Sequence, residues 1–188
     1  MSQEITDFDN LNEKTLAVKE IFNGRVIDVV VKDVELIDGS KSKREVVLHN
    51  GGCCILPIDN DGNTYLVKQF RSPFERILLE LPAGKLEKGE DPQECAVREL
   101  REEIGFKCSD VTNLGEMIVS PGYCSEVIHL YMAQGLTFVG QDLDEGEFVN
   151  IIKLPFKKLV DMVNDGTIID GKTCLCVLKA AGRLENGI

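Results

Sequence analysis

The sequence predicts an α+β fold, with a mixed β-sheet covered by helices and a small antiparallel β-sheet ahead of it. Three observations lead there. Short apolar runs bounded by turn pairs such as Asn23-Gly24 and Asp38-Gly39 mark strands. One segment, from Asp91 to Gly105, carries the start and stop punctuation of a helix, and two more apolar-periodic segments follow Pro155 and Lys172. Finally, 188 residues at 43% hydrophobic content suffice for one substantial core and a small appended subdomain. Strands and helices in this mixture bury their apolar faces as packed layers.

In chain order, Thr15 to Leu48 reads as strands Ala17–Phe22, Arg25–Leu36 and Arg44–Leu48. Three strands with one apolar face are marginal alone, so this sheet should pack on the main domain or on a second copy, and a homodimer is the economical solution. We place a dimerisation subdomain at residues 1–49 and the main domain at 50–188, with Asn50-Gly51-Gly52 as a hinge. Cys53–Ile58 and Thr64–Arg71 are expected to form a hairpin around Asp59-Asn60-Asp61-Gly62-Asn63. That turn is acidic, yet Pro57 stands where a calcium loop needs its first ligand, so it is an ordinary turn. Alternation puts Gln69 and Arg71 on one face, and Arg71 ends its strand, where it can point into a cleft. Ile77–Leu81 is a further strand. Val111–Val119 and Glu126–Met132 are strands joined by Ser120-Pro121-Gly122-Tyr123-Cys124-Ser125. An acidic loop from Gly140 to Glu147 precedes the strand Phe148–Leu154.

The chemistry concentrates between Gly84 and Phe106. Asp91 suits an N-cap, Pro92 the first helical position and Glu94 a capping box, while Gly105 can close the helix in the left-handed conformation. At about 100° per residue, Val97, Leu100 and Ile104 form a core face, and Glu99 and Glu103 share an acidic one. Carboxylates on adjacent turns repel, and Glu102 beside them adds to that, while Arg98 can pair with Glu102 at i+4. A hard divalent cation such as Mg²⁺ turns the repulsion into attraction.

The net charge of −11 and isoelectric point near 4.7 exclude nucleic acid and anionic membranes as partners, because no basic surface is available to them. A small anion remains acceptable where cations bridge it to carboxylates. The acidic N-terminus MSQEITDFDN has no apolar core and no run spans a bilayer, so a cytoplasmic protein is expected. Seven cysteines, unpaired in CxxC spacing, argue against both a disulfide framework and a zinc site. Cys124 is the one that lies in a candidate site loop.

The pattern G-x5-E-x7-R-E-U-x-E-E-x-G-U is filled by Gly84, Glu90, Arg98, Glu99, Leu100, Glu102, Glu103, Gly105 and Phe106. It resembles the signature of the Nudix hydrolases, which implies an α/β/α sandwich and metal-dependent hydrolysis of a diphosphate linked to another moiety. The wider chain is similar to the ADP-ribose pyrophosphatase branch, through KREVVLHNGG (Lys43 to Gly52), VKQFR ending at Arg71, ELPAGKLEKGE, SPGYCSE and DEGEFV followed by LPF. Pro121 is that branch's marker. The resemblance implies a homodimer that exchanges its N-terminal sheets, and conversion of ADP-ribose to AMP and ribose 5-phosphate. Mg²⁺, with Mn²⁺ as substitute, would be held by the Ala83 carbonyl, Glu99, Glu103 and Glu147. Arg71 would contact the phosphates. Arg44 and Glu45 of the partner subunit, with Ser120, Pro121, Gly122 and Glu126, would surround the nucleotide and ribose. Glu145 is the candidate general base, with Glu102 and Glu147 as alternatives. The chain has no Trp to stack on adenine, which leaves Phe22 or Tyr123. Relatives acting on GDP-mannose share the SPG and LPF features, and a non-catalytic ADP-ribose sensor is the alternative outside catalysis.

Overall fold

The structure is a computed structural model that describes residues 11–143, 146 and 148–185. The chain divides into two compact units. One takes the chain up to His49 together with Ser120–Ser125, and the other takes Asn50–Val119 and Glu126–Ile188.

In the first unit, β1 (Lys14–Asn23), β2 (Asp28–Glu35) and β3 (Lys41–Leu48) form an antiparallel sheet in that order. Val30 and Val34 of β2 are buried, whereas β1 is exposed at every residue, including Leu16, Val18, Ile21 and Phe22. The 120–125 loop is stitched to β3: Val47 N donates to Tyr123 O at 2.7 Å, and Ser125 N to Val47 O at 2.9 Å. His49 N donates to Ser125 Oγ at 3.0 Å.

The second unit begins with β4 (Gly52–Pro57), β5 (Asn63–Arg71), β6 (Arg76–Glu80) and β7 (Ala83–Lys85), followed by α1 (Pro92–Ile104). Then come β8 (Phe106–Lys107), β9 (Asp110–Ile118), β10 (Val127–Gln134), β11 (Thr137–Phe138), β12 (Asn150–Pro155), α2 (Phe156–Asn164) and α3 (Gly171–Glu185). The central sheet, in order β7-β4-β10-β9, is mixed: β4 runs parallel to β10, and the other pairs are antiparallel.

The hairpin expected from Cys53–Ile58 and Thr64–Arg71 does not form. The two strands share one bridge, Ile58 with Thr64, and then join different sheets, β5 lying between β12 and β6. The reason lies in β4, which is buried at all six positions and therefore needs strands on both edges and helices on both faces. Its alternation sorts the layers. Cys53 and Ile55 pack with Cys95, Ala96, Leu100 and Ile104 of α1. Cys54 and Leu56 pack with Leu159 of α2 and with Cys176, Val177 and Ala180 of α3. Each large aliphatic side chain buried this way contributes about 1.5–3 kcal/mol. The result is the α/β/α sandwich.

All seven cysteines are free, and Cys53, Cys54, Cys95 and Cys176 are fully buried. The acidic turn is an ordinary one, with Asp59 accepting from Asp61 N at 3.0 Å and Asn63 N at 2.8 Å. Among the described residues no helix is long and apolar enough to cross a membrane.

Candidate active site

Helix α1 starts and stops where its sequence says. Asp91 accepts hydrogen bonds from Gln93 N at 2.9 Å and Glu94 N at 3.2 Å, Pro92 opens the helix, and Gly105 closes it at φ 76°. The core face comprises Cys95, Ala96, Leu100 and Ile104, with Val97 only half-buried.

Glu103, on the acidic face of the helix, is itself buried. It is 3% exposed, and its Oε2 accepts Ala83 N at 2.9 Å. Strand β7 lies against α1 and covers that turn, a contact that a helical wheel does not contain. Glu99 meets the same strand one residue later. A Cβ placed on Gly84 would sit 1.7 Å from Glu99 Oε1, so any side chain there would push this carboxylate aside. Two carboxylates from successive turns of α1 thus border the single dipeptide Ala83-Gly84.

Arg98 holds the outer carboxylates together. Its Nε and Nη2 donate to Glu90 at 2.9 and 3.1 Å, and its Nη1 donates to Glu99 and to Glu102, both at 2.8 Å. The expected i+4 pair with Glu102 is therefore one part of a larger cluster. The guanidinium's hydrogen bonds hold the Glu90 carboxyl below its ordinary value. They also offset the repulsion between Glu99 and Glu102.

Arg71 ends β5, and its Nε and Nη2 each donate at 2.7 Å to the carboxylate of Glu80, which is 1% exposed. The Glu80 hydrogen bond chiefly raises the Arg71 pKa, and the charges of Glu103 and Asp170 add to it. Glu80 is not among the site residues that the sequence singles out. Its signal was a carboxylate closing the otherwise apolar Ile77-Leu78-Leu79, immediately before Leu81-Pro82-Ala83-Gly84.

The remaining candidates divide between the two units. Ala83, Glu99, Glu102, Glu103, Arg71 and Glu126 lie in the second, where Glu126 is half-buried and its carbonyl accepts Val119 N at 3.3 Å. Arg44, Glu45, Ser120, Pro121 and Gly122 lie in the first. There Arg44 donates to Glu13 Oε2 and to Ser42 Oγ, each at 3.0 Å, and Glu45, Pro121 and Gly122 are exposed. Phe22 and Tyr123 are exposed in the same unit. Glu145 and Glu147 lie outside the described residues.

Among the described residues, no three His, Cys, Asp or Glu side chains form a ready metal cage. The donors bordering Ala83-Gly84 are nonetheless all oxygens, two of them carboxylate groups fixed on a helix, and they suit a hard divalent cation better than a soft one.

Residues 48–170 match the NUDIX domain. The chain is 41% identical over 170 residues to a Bacillus subtilis protein named ADP-ribose pyrophosphatase, spanning 89% of this chain and 92% of that one. It is 44% identical over 167 residues to a Bacillus methanolicus protein named methanol dehydrogenase activator, spanning 88% and 90%. A crystal structure of an ADP compounds hydrolase superposes with a TM-score of 0.83 at 22% identity, covering 96% of this chain and 98% of that one, which shows a shared fold.

Proposed function

The chain belongs to the Nudix family, and on that premise we propose that it hydrolyses the diphosphate of ADP-ribose to AMP and ribose 5-phosphate with Mg²⁺. The observation that carries this reading is the pair Glu99 and Glu103 converging on Ala83-Gly84. The Bacillus subtilis relative supports the choice of substrate by its name.

Glu99, Glu103 and the Ala83 carbonyl, joined by Glu147, would hold the cation, and Mn²⁺ could take its place. When bound, the ion supplies charge neutralisation for the diphosphate and acidifies a nearby water. Arg71 contacts the phosphates. Two of its nitrogens are committed to Glu80, and Nη1 bonds no acceptor among the described residues. Water adds across the P–O–P bridge, one phosphate leaves on each product, and a carboxylate removes the proton. Glu145 is our candidate for that base. Of the alternatives, Glu102 and Glu147, Glu102 has one oxygen occupied by Arg98 at 2.8 Å.

The first unit supplies the nucleotide contacts in this reading, through Arg44, Glu45, Ser120, Pro121, Gly122 and a stacking ring from Phe22 or Tyr123, with Glu126 completing the set. The active form is a cytoplasmic homodimer in which the N-terminal subdomain of each protomer serves its partner. The exposed apolar residues of β1 support this arrangement.

The test is product analysis by ³¹P NMR with ADP-ribose, GDP-mannose and a dinucleoside polyphosphate in parallel, each with Mg²⁺ and with chelator. AMP and ribose 5-phosphate, formed fastest and only with metal, are expected. Faster release of GMP from GDP-mannose would reassign the substrate, and ADP-ribose binding without products would make the protein a sensor.

A further inference from the structure

A buried ionic network joins Arg71 to the start of α3, using residues outside the helix signature. Glu80, at the end of β6, is shared between Arg71 and Lys172 Nζ. Lys172 also donates to Asp170 Oδ1 at 3.1 Å. The other oxygen of Asp170 accepts Thr173 N at 3.0 Å and Thr173 Oγ1 at 2.6 Å. Thr173 Oγ1 in turn accepts Leu81 N at 2.9 Å. Two residues further on, Ala83 N is held by Glu103. The segment from Glu80 to Ala83 is therefore fastened to α3 at one end and to α1 at the other.

Stability alone does not account for this arrangement. Buried ions lose their hydration, and well-packed apolar residues of similar volume commonly do as well or better. What the network supplies is a fixed geometry for Arg71, the cation that the reading above sets against the phosphates. With both Nε and Nη2 bound to a carboxylate that cannot move, the Arg71 guanidinium keeps one plane and one outward edge. Lys172 sets how much of Glu80 is left for Arg71. Without that lysine, the buried carboxylate has only Arg71 to neutralise it and draws the guanidinium inward.

We propose that Lys172 is a positioning residue: by sharing Glu80 with Arg71 and anchoring through Asp170 and Thr173, it aims the Arg71 guanidinium at the diphosphate. The inference rests on the diphosphate-hydrolase reading above.

The test compares wild type, Lys172→Met, the milder Lys172→Gln and, as a control, Lys153→Met, whose lysine pairs with Asp59 at 2.8 Å on the β4–β5 turn. Two readouts are taken: the Arg71 Nε–Hε resonance by ¹⁵N NMR, and KM and kcat for ADP-ribose with Mg²⁺. The Arg71 resonance should be protected from exchange in wild type and should move in Lys172→Met, with its protection kept or increased as Glu80 draws the guanidinium inward, while most backbone amides keep their shifts. KM should rise about tenfold while kcat changes less than about threefold, because positioning of a binding group is lost and not the reacting groups. Lys172→Gln should lie between, and it decides the matter if Lys172→Met does not fold. An unchanged Arg71 resonance, or equal falls in kcat with KM constant, overturns the proposal. Absence of turnover in wild type refutes the substrate reading instead, and the resonance then decides the fate of the network by itself.

Discussion

Arg98 and Arg71 are both held by carboxylates, yet they are built in opposite ways. Arg98 is held by carboxylates from its own helix and the loop before it: Glu90, Glu99 and Glu102. The side chains of those carboxylates are 14%, 13% and 24% exposed. Arg71 is held by Glu80, whose side chain is 2% exposed and is also claimed by a lysine 92 positions further along the chain. One clamp is a local device which water can partly replace, while the other exists only once three elements have packed.

The buried clamp is the more costly of the two to break. Glu80→Ala leaves Arg71 and Lys172 without their shared anion and should cost about 3–5 kcal/mol. Urea denaturation would measure it, and a loss no larger than that of Arg98→Gln would erase the distinction. Next in size is Gly84→Ala, whose new Cβ must displace Glu99. Turnover should fall by about two orders of magnitude with little change in urea midpoint. Arg98→Gln should cost about 1–2 kcal/mol, because its partners can turn to solvent. Breaking the exposed Lys43–Asp33 pair of the first unit with Lys43→Ala should have no measurable effect on stability.

Acid sharpens the same contrast. Burial works to raise the Glu80 pKa, but hydrogen bonds from Arg71 and the charge of Lys172 outweigh it, and the net direction is downward from 4.5. Glu90 is likewise lowered from 4.5, chiefly by its bond to Arg98. A carboxylate depressed in the folded state binds fewer protons than in the unfolded chain. Its stabilisation is therefore complete above its ordinary value and fades as pH falls below 4.5. Urea midpoints taken between about pH 6 and pH 3 should fall more steeply for wild type than for Glu80→Gln. Parallel slopes would show that Glu80 is not the group responsible.

Whatever depends on near neighbours was legible from the residues themselves. The caps Asp91 and Gly105, the span of α1, the four-residue spacing of Glu99 and Glu103, the Arg98–Glu102 pair and the three strands before His49 all arise from contacts within a few positions or from turn chemistry. Helical geometry fixes such contacts before any layer packs on another. Packing alone decided that β4 and β5 part into different sheets, that Glu103 is buried beneath β7, and that Glu80 is shared with Lys172. These depend on which surfaces meet across long stretches of chain, where loop closure is offset only by the burial of whole faces, and no spacing along the sequence encodes that meeting.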